Sequence, residues 1–167
     1  TSFSREGKAI HDIQAMPIEP QTFVLVKIWH SMTYTLISNI ITTLIIVVAS
    51  VFLQLDFFIS EIGMIIVLQF VLSFFLSLLL VSIDMFFDTI NPKLNWENPM
   101  AAIKQNLNAF FSMFTNMILI ALLSLLFFIV LPKNILGFII AAAVLIILSV
   151  PLAALYFKFA VKKFPKM

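Results

Sequence analysis

The chain has 167 residues, of which 62% are hydrophobic and 11% charged, with a mean hydropathy of +1.14. An ordinary soluble domain carries roughly 25% charged residues, and a short one leaves much of its area in water. This composition therefore excludes a soluble globular enzyme, a nucleic-acid-binding domain and a disordered tail. The net charge of +2 is too small to argue for nucleic acid, and with no cysteine there is no disulfide framework or thiolate metal site.

Along the chain, residues 1–31 are mixed, punctuated by Arg5, Glu6, Lys8, His11, Asp12, Glu19 and Lys27. They open Thr1-Ser2-Phe3 without a Met and without a signal-peptide pattern, which reads as a piece of a longer polypeptide or a trimmed chain. Uncharged runs follow at Ile28 to Leu53, Ile62 to Ile83, Leu107 to Leu131 and Ile135 to Phe157. Crossing a hydrocarbon core of roughly 30 Å takes about 20 apolar residues, so all four runs qualify. In lipid an uninterrupted run of this length reads as helix, because only a helix satisfies its own backbone locally.

The expected fold is an all-α polytopic transmembrane helical bundle of four spans. Its predicted parts are a cytosolic or interfacial coupling-type segment at 1–31, a transmembrane domain at 32–157 and a basic cytosolic tail at 158–167. The spans are placed at about 32–53, 62–83, 107–131 and 135–157, with a cytosolic loop at 84–106. Pro20 suits the first turn of a helix that continues to Leu53, which would be about 50 Å long, so its first residues should lie outside the hydrocarbon.

The scarce charges are sorted. Nine of the ten Lys and Arg residues fall in the leading segment, the middle loop and the tail, leaving Lys133 alone on the other side. The positive-inside rule puts the nine in the cytoplasm, so both ends are expected there, in a plasma or inner membrane. Trp29, Tyr34, Trp96 and Tyr156 fall near the same boundaries, where amphipathic rings prefer to sit.

Polar residues form stripes within the spans. The second carries Gln69, Ser73 and Ser77, continued by Asp84 and Asp88; the third carries Asn108, Ser112, Thr115, Asn116 and Ser124; the first carries Ser31, Thr35, Ser38 and Thr42, with Asn39 adjacent. Such stripes serve helix–helix packing or line a translocation path. The fourth span is nearly bare, with Ala141-Ala142-Ala143, Ser149 and Pro151, and is expected to face lipid over much of its surface. No charged residue is placed mid-membrane, which argues against a self-contained proton-driven transporter and an intramembrane protease. Asp84 and Asp88 read as a solvated helix end, or as a cation pair. His11 and His30 read as solvated or interfacial rather than as metal ligands. Three glycines cannot build a phosphate loop, so no ATP site, no bound cofactor and no enzymatic activity are assigned to this chain.

Ser4-Arg5-Glu6-Gly7-Lys8, Met16-Pro17-Ile18 and Val26-Lys27-Ile28 together resemble the cytosolic segment that precedes a membrane helix in type-2 ATP-binding cassette (ABC) exporter permeases. Glu19 departs from the small hydroxyl residue more usual there. Asn91 to Pro99, the run NPKLNWENP, followed by Lys104-Gln105-Asn106-Leu107-Asn108, resembles a subgroup of large ABC permeases with roughly twelve spans, of which this chain would be the C-terminal portion. The resemblance implies a permease working by alternating access, driven by a separate ABC ATPase subunit that binds the ATP. The other partners would be the remaining spans or a second permease copy, and the lipid bilayer. Arg5, Glu6, Gly7, Lys8, Ile13, Met16 and Pro17 would form the coupling element, with Ile10, Ile13 and Met16 as an apolar contact face. The same spacing fits an amphipathic helix on the lipid surface. A membrane scaffold and a small oligomeric channel or ion transporter are the competing functions.

Overall fold

The computed structural model describes residues 3–52, 59–96, 107–132 and 134–166. Among them every regular element is helical: α1 (Ala9–Ala15), α2 (Pro20–Phe52), α3 (Ile59–Ile90), α4 (Leu107–Val130), α5 (Ile135–Lys163) and a terminal 3₁₀ turn (Phe164–Lys166). Four of these, α2 to α5, are long and apolar enough to cross a membrane. The predicted connections at 53–58 and 97–106, and Lys133, lie outside the described residues.

Local chemistry sets the helix ends. Met16 precedes Pro17 and is extended (φ −73°, ψ 150°), as the proline ring demands of its neighbour, and this stops α1. Pro20 opens α2, where its missing N–H would have no intrahelical acceptor. Asn134, extended, caps α5 by accepting the Gly137 N–H at 3.2 Å. A Cβ on Gly137 would run into the Pro132 carbonyl oxygen, so the tight turn from α4 requires glycine there. The last carbonyls of α3 find donors from other elements: Lys163 Nζ donates to Ile90 O and Asn108 Nδ2 to Asn91 O.

α3 lies at the centre and packs most extensively against α5, with α2 and α4 flanking it. The fourth apolar run packs one face on α3 and, as expected, leaves much of the rest open, with Leu136, Ile139, Ile147, Val150 and Leu155 exposed. Gly137, Ala141, Leu145, Ser149, Tyr156 and Ala160 of α5 are buried, and the four-residue steps of small side chains let the two helices approach closely. The most exposed spans are α2 and α4. Several hydroxyls within the spans return to their own backbone: Thr42 Oγ1 donates to Ser38 O and Ser82 Oγ to Leu78 O, which satisfies them without water; the buried Ser149 hydroxyl of α5 has no such partner among the described residues.

The largest buried cluster sits at one end of the bundle, the end that carries Phe3 and Phe164. It comprises Phe3, Ile10, Val24, Met32, Val81, Met85, Tyr156, Ala160 and Phe164. Between helices in lipid the hydrophobic effect supplies little, because tails are as apolar as side chains. It acts where the chain leaves the hydrocarbon, and there Phe3 and Ile10, both fully buried, stabilise by about 1.5–3 kcal/mol each.

Two boundaries differ from expectation. α3 continues through Asp84 and Asp88 to Ile90, so the predicted loop begins seven residues late, at Asn91. α5 likewise continues past Phe157 into the predicted tail, to Lys163, where Lys162 and Lys163 complement the helix dipole. Tyr156 is 1% exposed and belongs to the core rather than to an interfacial aromatic belt, whereas Trp29 and Tyr34 are exposed.

Candidate functional site

The polar chemistry gathers at two places on α3, four residues apart. The first is Asp88, 1% exposed and two residues before the end of the helix. A carboxylate is poorly placed at a helix C-terminus, where the dipole is negative. Donors from the N-terminal segment offset this: Phe3 N donates to Oδ2 at 2.6 Å, Ser4 N to Oδ2 at 3.0 Å and Ser4 Oγ to Oδ1. The Ser4 hydroxyl then accepts the Lys93 N–H at 2.9 Å, and Trp96 Nε1 donates to the Ser4 carbonyl at 2.8 Å. Asp88 is thus neither a solvated helix end nor half of a cation pair; it is the acceptor that fastens residues 3–4 to the bundle.

Gly7 completes the seam. Its φ of +56° is left-handed, and a Cβ there would meet the Trp96 ring at 2.7 Å. Phe3 packs edge-on against Phe23, which stacks on Phe164 at 4.6 Å, and Gln14 Nε2 donates to Phe164 O. The segment is therefore held by α2, α3, α5 and the start of the α3–α4 connection together.

This arrangement divides the expected coupling residues. Arg5, Lys8, Met16 and Pro17 are exposed. Glu6 forms an ion pair with Lys27 of the same chain, Gly7 is buried under Trp96, and Ile13 packs on the core. Ile10 is 0% exposed, so the expected contact face of Ile10, Ile13 and Met16 is turned inward, and only Met16 remains outside. The physical reason is local: a seven-residue helix gains more by seating its isoleucines in the bundle end than by resting alone on lipid.

The second place surrounds Asp84. Asn116 Nδ2 donates to Asp84 Oδ1 at 2.8 Å, joining α4 to α3. Above it, α2 and α3 are joined by Asn39 Nδ2 to Ser77 Oγ at 3.5 Å and Thr43 Oγ1 to Gln69 Oε1 at 3.3 Å. Between α2 and α4 runs an open groove of about 560 Å³ floored by α3. Of the expected polar residues, Ser77, Ser112 and Asn116 line it, with Thr35 and Asp84. Gln69, Ser73 and Asn108 do not; Ser73 Oγ returns to Phe70 O and Asn108 caps α3.

Sequence reasoning passed over Ser4 and Trp96 as clamp residues and Thr43 as the partner of Gln69. Trp96 and Ser4 stand in the two singled-out motifs, but nothing in their spacing pairs them. The chain matches no family model, no curated protein and no solved structure. What the geometry establishes is a multi-pass, all-α membrane protein whose N-terminal segment is clamped to one end of the bundle.

Proposed function

We propose that this chain is the membrane-spanning portion of an ABC transporter permease, moving its substrate by alternating access under the force of a separate ATPase subunit. One observation carries the reading: a segment with exposed Arg5, Lys8, Met16 and Pro17 is fixed through Asp88 to the end of the central helix. A segment docked in this way transmits a push from outside into α3, whereas a tethered tail would absorb it. The resemblance of residues 4–28 to permease coupling segments supports the same role.

Reversing the two exposed charges, Arg5→Glu with Lys8→Glu, is expected to lower co-purification of the ATPase with the full polypeptide by about tenfold, since rim charges steer docking. Both side chains are exposed, so the packing of the spans should be unaffected. ATPase recovery is read by mass spectrometry of a subunit with a Walker-type loop and by ATP hydrolysis. Recovery unchanged by the double substitution, or no ATPase with the unaltered polypeptide, sinks the coupling role.

The orientation belongs to the same proposal. A reporter fused at Asp56 is expected to read as external and one at Trp96 as cytosolic, following the distribution of Lys and Arg. The reverse pattern overturns it.

A further inference from the structure

The groove beside α3 holds the carboxylate of Asp84, near the end of an apolar helix, where an ionisable side chain needs a partner. Among the described residues no Lys, Arg or His lines it. The ionisable side chain among its lining residues is the Asp84 carboxylate. Thr35 Oγ1 donates to Met32 O, and Ser112 Oγ lies against both Ala109 O and that carboxylate, so neither hydroxyl supplies a charge. Asn116 is oriented by its Nδ2–H bond to Asp84, and that leaves its Oδ1 buried with no hydrogen-bond partner. An orphaned amide oxygen beside a carboxylate, in lipid, calls for a donor that carries positive charge. The walls around it are apolar and polarisable: Met113, Met117 and Ile120 on α4 line the groove over about two turns that bracket Asn116.

We propose that the groove between α2, α3 and α4 binds an amphipathic molecule with a primary ammonium head, the cation seated on Asp84 and Asn116 and the apolar tail along Met113, Met117 and Ile120. An ammonium supplies three donors, no acceptor and the charge that the Asp84 carboxylate lacks among the lining side chains. Taken as the transported cargo, this molecule rests on the permease reading above; as a bound ligand, it rests on the groove alone.

The test uses the full polypeptide in phosphatidylcholine nanodiscs and a long-chain primary alkylamine bearing a photoreactive diazirine. Labelling is expected on the α3 and α4 groove walls, about tenfold above that by the matching alcohol or carboxylate. Asp84→Asn should bring the amine down to the level of the alcohol, and Asp84→Glu should retain most of the labelling. Met117→Trp keeps the charge but fills the groove at an exposed position, and should also abolish labelling. Size-exclusion profiles confirm that each variant is folded. Equal labelling by amine and alcohol, or labelling indifferent to Asp84→Asn and Met117→Trp, overturns the proposal. So does a groove found closed by a basic residue of other spans or of a second copy. ATPase co-purification is measured on the same preparations of unaltered polypeptide: ATPase recovered without amine labelling sinks the groove alone, and labelling without ATPase sinks the coupling role alone.

Discussion

Replacing Asp88 with alanine is expected to release the N-terminal segment and raise tryptic cleavage after Arg5 and Lys8 by about a hundredfold. Both side chains already face solvent; what protects the peptide bonds is the docked backbone. Cleavage therefore follows the population of the locally opened state. Alanine removes the acceptor for Phe3 N, Ser4 N and Ser4 Oγ at once. Hydrogen bonds to a charged group contribute about 1.5–3 kcal/mol each, and these share one carboxylate, so a joint loss of about 3 kcal/mol is reasonable. Asp88→Asn keeps the volume but brings an NH₂ to a site populated by donors, and should behave almost as badly. Cleavage at the unaltered rate in both variants would mean that the aromatic contacts of Phe3 and Phe23 hold the segment without the carboxylate. Hydrogen exchange at Phe3 to Gly7 gives the same readout without a protease.

The second large effect is at Tyr156. Its ring is 1% exposed among Met85, Ala160 and the N-terminal residues of the core, while its hydroxyl makes only a long contact with Thr89 Oγ1, at 3.4 Å. Tyr156→Ala is expected to cost about 3–5 kcal/mol, because the clustered helices cannot close around so large a void. Tyr156→Phe removes the weak hydroxyl contact alone and should cost about 1 kcal/mol. Thermal unfolding of the detergent-solubilised polypeptide separates the two. Similar losses in both variants would place the stabilisation in the Thr89 contact rather than in ring packing.

Much of the architecture was legible because lipid simplifies the problem. An uncharged run of more than about twenty residues has one solution for its backbone, and α2, α4 and the start of α5 fall where the runs do. The end of α3 is less legible. Asp84 and Asp88 read as a solvated helix end, because a carboxylate without a visible partner belongs in water. The partners of Asp88 are 84 and 85 residues away, and no local pattern announces them. The expected lipid exposure of α5 holds over much of its surface, but hydropathy, which ignores side-chain size, does not mark the face that packs on α3. The informative signal was the four-residue recurrence of Gly137, Ala141, Leu145 and Ser149. The polar stripes were legible as faces but not as pairs. Gln69 could be placed on one side of α3, yet that Thr43 rather than another α2 residue meets it depends on the relative rise of two helices. Ile10 and Ile13 showed the spacing of a docking face; the sequence carried no information on whether the dock was a foreign groove or the chain's own bundle.

The clamp also fixes an order of assembly. A ribosome makes Phe3 long before it makes the acceptor for it, 85 residues on, and Gln14 waits 150 residues for Phe164 O. During that interval Phe3, Ile10 and Phe23 have nothing to be buried against. The first part of this sequence to be synthesised thus closes late, once α3, α5 and Phe164 are in place. A polypeptide halted before α5 lacks the surface that buries this aromatic lead, so docking of the segment reports that α5 and Phe164 are in place.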